Sequence, residues 1–400
     1  MKRCKSFSAT ACRLTAILCA ALLIAGCGKS DPPAFRLNML GMINNEIPDP
    51  IQQEVANILE AMFGTPDQPY VVPETGLDLK RIQAAAGNVW SDRGGKKYGL
   101  YREHCGHCHG ITGDGYGPTA EFLNPYPRDY TKGKFKFKST ERSAAPTIAD
   151  LLRILDDGVP GTAMPSFRLL PPDAKKALVE YVKYLSMRGE METALIAHCA
   201  DEGLEEGDHI DSSRGNLIDY MLIPIAEKWS QAESQVIHPD QQAAPIPGRS
   251  PQQVAASAAK GRDLFYGKRA NCFTCHGDTA LGDGQTTDYD DWSKAVKQFE
   301  DDHQEHDSRS LGLLPPRTAR PRNLRKGVYR GGRRPLDLYW RIYAGINGTP
   351  MPATGPSAPG GKGVLSSEEI WQLVDYVHQL PFEPASLPPT EQPTMQLGRR

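Results

Sequence analysis

The sequence predicts an all-α protein: two like helical domains in tandem behind a helical N-terminal extension. Three observations predict it. Six landmarks recur in the same order in the two halves of the 400 residues. Near the end of each half, apolar residues fall at helical spacing: Leu178, Tyr181, Val182 and Leu185, then Ile370, Leu373, Val374 and Val377. The 33 prolines and 38 glycines divide the rest into short elements joined by loops.

Each half opens on an aromatic-containing stretch, GGKKYGLY (94–101) or AAKGRDLFYG (258–267). Cys105, Cys108 and His109 follow in the first half, Cys272, Cys275 and His276 in the second. Next come Gly-Asp-Gly turns at 113–115 and 282–284, then Pro127-Arg128-Asp129 or Pro321-Arg322-Asn323. A helical run ending in a glycine loop with Met-Pro occupies 151–167 and 338–354. Amphipathic segments 175–185 and 368–380 close the halves, the second opened by a capping box from Ser366. The domains so read span 91–188 and 255–382.

The other segments are read from the same signals. In the extension, 27–90, Asp49 caps and Pro50 begins a helix whose face is Ile51, Val55, Ile58, Leu59 and Met62, with Gly64 as its stop. The connector, 189–254, is partly helical through Leu217, Met221, Leu222, Ile225 and Trp229, with a hinge expected at 239–251. An insert, 286–311, has no counterpart in the first half. It holds eight acidic residues and two lysines between Asp288 and Asp307. Trp292, Val296 and Phe299 place it as an amphipathic helix packed on the second domain, its acids matched by the basic stretch from Arg317 to Arg334. Residues 383–400 form a tail. Hydrophobic content of 39% and charged content of 24% fit an ordinary globular chain, and a formal charge of −2 gives no reason to expect nucleic acid as a partner.

The cysteine spacing carries the chemistry. Two cysteines separated by two residues present both sulfurs from one turn of chain, where each can add to a vinyl group of one porphyrin. A histidine directly after the second falls under the iron. Two covalent haem c groups are therefore expected, on Cys105 and Cys108 and on Cys272 and Cys275. Zinc is the competing use, but it would have to unite pairs more than 160 residues apart. For the other iron face, Met164 and Met351 are the only methionines between motif and closing helix, each after a Gly-Thr loop and before proline. The competing reading makes them core filler. His303 and His306, in the acidic insert, and His104 and His107, beside the first motif, read as exposed side chains. Cys199 reads as a buried thiol.

With these residues in view, each half resembles a class I c-type cytochrome domain, similar to those attached to bacterial respiratory oxidases. The resemblance implies His109 and His276 as proximal ligands and Met164 and Met351 as distal ones. It also implies a backbone carbonyl from a proline behind the proximal histidine. Pro118 is the candidate in the first half, while Gln285 and Thr286 leave that support in doubt in the second.

Lys2, Arg3, Lys5 and Arg13, followed by an apolar run from Leu14 to Ile24, form a signal peptide expected over residues 1–26. Its end, Ile-Ala-Gly-Cys, resembles a bacterial lipobox, which implies lipidation of Cys27 and a chain anchored on the periplasmic side of a membrane. An ordinarily cleaved or uncleaved leader is the alternative. A methionine–histidine pair fills both axial positions, so the expected function is single-electron transfer between other redox proteins, free or within a respiratory complex. No catalytic residue is expected. The alternative is a dihaem peroxidase-like enzyme with one displaceable distal ligand.

Overall fold

Thirteen α-helices and one two-stranded antiparallel ribbon make up most of the regular structure among the described residues. The computed structural model describes residues 32–240, 245, 247–303, 308–356 and 363–384. Signal peptide, Cys27, His306 and most of the tail lie outside them. Phe35 onward forms one compact unit. The extension supplies α1 (Met39–Asn44), α2 (Asp49–Phe63) and α3 (Leu79–Ala85). The ribbon, β1 (Trp90–Ser91) and β2 (Lys97–Tyr98), leads to α4 (Leu100–His104) and α5 (Gly106–His109). Then come α6 (Ile148–Asp157) and α7 (Pro172–Asp201), a π-helical segment (Gly215–Leu222) and α8 (Ile223–Ser230). The second half holds α9 (Pro251–Tyr266), α10 (Phe273–His276), α11 (Asp291–Asp302), α12 (Pro335–Ala344) and α13 (Ser367–Gln379). The architecture is all-α, as the periodicity predicts.

Extension, first half and connector share one core. Ile51, Leu59 and Phe63 of α2 and Ile82 of α3 pack with Leu178, Tyr181 and Leu185 of α7 and with Leu222 and Trp229 of the connector. Each fully buried aliphatic or phenyl side chain is worth roughly 1.5–3 kcal/mol, enough to draw the extension onto the domain. Neither 90 nor 188 marks a break in packing. The closing helix expected over 175–185 runs on to Asp201 because Met191, Leu195, Ile196 and Cys199 continue its apolar surface. Its buried carboxylates are satisfied by the extension's backbone: Glu180 accepts from the Asp78 amide at 3.0 Å, and Glu192 from the Asn38 amide at 2.6 Å. Helix α2 starts one residue earlier than expected, with Pro48 as its cap and Asp49 inside.

The halves differ in their early helix. In the second, α9 lies against α13 at Gly261, where a Cβ would come within 2.0 Å of the Gln372 carbonyl. In the first, Gly95 and Gly99, with φ of 80° and 71°, turn residues 94–98 through the ribbon, and the separate helix α3 packs on α7 instead.

The insert departs from expectation in part. Trp292 lies against Gly348 of the second domain as expected, but Val296 and Phe299 of α11 pack with Leu40 and Ile43 of α1. Two of its acids face the first half, Asp290 with Lys136 at 3.0 Å and Asp291 with Lys134 at 2.5 Å. Among the described residues none of its carboxylates pairs with the stretch from Arg317 to Arg334. Arg317 instead donates to the Leu123 and Glu121 carbonyls at 2.6 and 2.9 Å. No described helix is long and apolar enough to cross a membrane.

Candidate functional site

Both cysteine motifs fold into the same helical turn. The His109 amide donates to the Cys105 carbonyl, and the His276 amide to that of Cys272, each at 2.9 Å. The turn presents both sulfurs and the imidazole from one short piece of backbone. None of these four cysteines is in a disulfide. Burial pushes the Cys105 and Cys272 thiols up to about 12. After the histidine the chain reverses, Gly115 donating to the His109 carbonyl at 2.9 Å and Gly282 to that of His276 at 2.8 Å. The two Gly-Asp-Gly triplets are thus displaced by two residues in the structural register. Gly115, the last glycine of the first, stands where Gly282, the first of the second, stands in the other half.

The imidazoles are held from behind by a carbonyl, but not that of Pro118, which is exposed. His109 Nδ1 lies 2.9 Å from the carbonyl oxygen of Arg128, and His276 Nδ1 lies 3.3 Å from that of Arg322. The acceptor in each half is therefore the residue after proline in the repeated Pro-Arg triplet, and the second half keeps the support that its sequence left in doubt. A neutral imidazole donating through Nδ1 leaves its Nε2 lone pair free for a metal. Burial favours that neutral form, pushing His109 down to about 4 and lowering His276 in the same direction. Tyr130 stacks on His109 with centroids 4.7 Å apart, its hydroxyl 3.3 Å from Nε2. The corresponding place in the second half belongs to Leu324, as the Tyr130 and Leu324 amides bond to the equivalent Gly113 and Ala280 carbonyls.

The methionine loops are also the same structure twice. The Thr162 hydroxyl donates to the Val159 carbonyl at 2.8 Å and accepts from the Met164 amide at 3.1 Å. Thr349 does the same between Ile346 and Met351, at 2.8 and 3.3 Å. The Val159 and Ile346 amides close the rings on the Met164 and Met351 carbonyls. Both methionines are half-buried, and Met164 packs on the core that includes Cys105. A pure core-filling role needs no such fixed backbone in two places. The sequence shows a Gly-Thr loop before each methionine, but nothing in it assigns these threonines their locking role.

Other candidates fall away from these sites. His303 turns back on the end of α11, stacked 4.6 Å from Phe299. His107 is exposed, but His104 is half-buried, edge-on to Phe167 at 6.1 Å and 3.7 Å from Glu103. Cys199 is buried, and burial pushes its thiol up to about 11. Among the described residues no group of three or more His, Cys, Asp or Glu could hold a bare metal ion. Free paired thiols, a buried neutral imidazole with its back nitrogen satisfied and a fixed methionine loop fit a covalently attached haem.

Comparison with known proteins agrees with that chemistry. Residues 95–182 match the family model described as cytochrome c oxidase, cbb3-type, subunit III, and residues 258–381 match the model for cytochrome c. A chain of the Kuenenia stuttgartiensis reducing HAO-like protein complex is 24% identical, with a TM-score of 0.44 over 70% of this chain and 94% of that one. No curated protein sequence matches the chain.

Proposed function

We propose, from the premise that this chain carries two cytochrome c-type domains in tandem, that it is a membrane-anchored dihaem electron carrier serving respiratory redox partners, free or as a complex subunit. Covalent haem c and electron transfer follow from the domains. The number of groups, their ligands, the anchor and the partners belong to the proposal. In it Cys105 and Cys108, and Cys272 and Cys275, hold one haem each, between His109 and Met164 and between His276 and Met351. The bound group supplies reversible one-electron exchange at iron.

The chain's own residues do the rest. The Arg128 and Arg322 carbonyls fix the imidazole tautomer and orientation, and the threonine-locked loops fix the methionines. Burial around Cys105 and His109 keeps water from the attachment side. The carrying observation is that both halves repeat the cysteine turn, the carbonyl-backed histidine and the threonine-locked methionine loop, which supports two centres of one kind rather than one distinct catalytic site. The anchor rests on Ile24-Ala25-Gly26-Cys27 and places the protein on the periplasmic side of a bacterial membrane.

The test is the reduced spectrum of the purified mature protein against its mass. Two covalent haems per chain and no response to carbon monoxide are expected. One haem overturns the dihaem reading, and ready binding of carbon monoxide or cyanide by the unaltered protein overturns the carrier reading in favour of the peroxidase-like enzyme. Fatty-acid labelling that persists in Cys27→Ser removes the anchor.

A further inference from the structure

The loop carrying Met351 is not completed by its own half. Arg142, in the first half, reaches across and donates from Nη1 to the Met351 carbonyl at 2.8 Å and from Nη2 to that of Thr349 at 3.1 Å. Its approach depends on Gly345, with φ of 68°, where a Cβ would stand 2.5 Å from Nη1. A second brace comes from the insert. The Asp291 amide donates to the Gly348 carbonyl at 3.1 Å, and the Trp292 indole lies against Gly348, where a Cβ would stand 2.5 Å from its ring. The same indole is covered by the Arg128 guanidinium at 3.9 Å, so it is itself held by the first half.

The Met164 loop, alike within, is braced differently from outside. Both loops return to the preceding helix alike, through the Phe167 amide on the Leu155 carbonyl at 2.7 Å and the Thr354 amide on that of Tyr343 at 3.0 Å. Among the described residues, however, the Thr162 and Met164 carbonyls receive no donor from the opposite half. Arg322 lies beside Gly161 but donates to Val328 of its own half at 3.2 Å.

We infer that Arg142 is a positioning residue for the second haem's methionine, so that the Met351 loop is fully held only when the first half is docked. The inference rests on the reading of Met351 as a distal ligand. A thioether is a neutral ligand whose bond depends on its loop staying in place. A guanidinium gripping two turn carbonyls two residues apart fixes that stretch of backbone, as a single lysine amine does not.

The experiment uses the full-length haem-loaded protein, with Met164→Ala and Met351→Ala marking the signals of the first and second centres. Loss of Arg142's charge-assisted bonds in Arg142→Ala is expected to raise the second centre's carbon monoxide affinity roughly tenfold or more. It should also weaken the red methionine-to-ferric-iron charge-transfer band and lower that centre's potential, with the first centre unchanged. Arg142→Lys, which keeps the charge and loses the fork, should show a smaller change in the same direction and carries the test if the alanine variant does not fold. Unchanged second-centre potential and carbon monoxide affinity in Arg142→Ala, or equal changes at both centres, overturns the inference while leaving the ligand reading intact. If Met351→Ala itself leaves the second centre unchanged, the ligand reading fails and the inference falls with it.

Discussion

Arg153 Nη1 of the first half and the Asp337 carboxylate of the second stand 3.5 Å apart at the meeting of α6 and α12. Arg153 also binds Asp150 at 3.2 Å, and Arg334 binds Asp337 at 2.7 Å, so two equivalent helix-capping aspartates share one cross-half arginine. The Asp337 side chain is 2% exposed and that of Arg334 60%.

That contrast gives a prediction about stability. Removing one partner of a buried ion pair leaves an uncompensated charge and costs about 3–5 kcal/mol, whereas an exposed partner is worth about 0–1 kcal/mol. Arg153 retains Asp150, so Asp337→Ala should lose about 3 kcal/mol, at the low end, and Arg334→Ala less than about 1 kcal/mol. Denaturant unfolding of the haem-loaded protein measures both. Equal small losses would mean that the seam is not held at Asp337.

What was legible in the sequence was chemistry tied to residue type. Covalent attachment needs cysteine, cysteine and histidine at one spacing, and the closing helices need apolar residues every three or four positions, so both could be read. The support behind the histidines could not, because every residue has a carbonyl and nothing in Pro127-Arg128-Asp129 says which one faces His109. Arg142 lies 209 positions from Met351, beyond any local pattern. The apolar face of the insert was visible in Val296 and Phe299, but a hydrophobic face carries no address, and it found Leu40 of the extension. The shared Gly-Asp-Gly triplet misled by two residues because identical tripeptides need not hold equivalent places in a turn.

Asp129 should make the first half more stable in mild acid than at neutral pH. Burial raises its carboxyl from an ordinary value near 3.8 to about 6, although Lys132 and the Thr131 hydroxyl and amide oppose the shift. A folded-state value above the unfolded one stabilises fully below about pH 4, and that stability is lost as pH rises towards 6, leaving a buried charge at neutrality. The second half has Asn323 in this place, its side chain accepting from the Arg325 amide at 3.1 Å as Asp129 accepts from that of Thr131 at 2.9 Å. Asp129→Asn should therefore fold normally and flatten the pH 4–6 dependence, gaining on the order of 3 kcal/mol at pH 7 relative to pH 4. Unfolding titrations across that range decide it, and an unchanged slope removes Asp129 as its source.

The threonine locks should show in the spectrum of their own centre. Thr162→Val keeps the shape but deletes both the donor to Val159 and the acceptor of the Met164 amide, leaving a half-buried amide unmet at a cost of about 1–3 kcal/mol. If Met164 is the ligand, the first centre's potential falls and its methionine charge-transfer band weakens, while the second centre stays as it was. Thr162→Ser restores both bonds and should restore the potential in a spectropotentiometric titration. A purely structural threonine would lower the melting temperature without moving either signal.

Gly261 sets how closely α9 and α13 approach, and its replacement puts two effects in opposition. Alanine in a helix interior gains about 1 kcal/mol over glycine from propensity. Against this, the new Cβ would stand 2.0 Å from the Gln372 carbonyl and 3.0 Å from the Leu373 amide, with rigid helical backbone on both sides. Overpacking of this kind costs typically about 1–3 kcal/mol and more where neither side can yield. Overpacking should win, so Gly261→Ala is expected to destabilise by about 2 kcal/mol or more, with the second half unfolding first. Hydrogen exchange followed separately on α13 and α7 resolves the order. Faster exchange in α7 alone, or a net gain in stability, would mean that α9 and α13 can move apart at little cost.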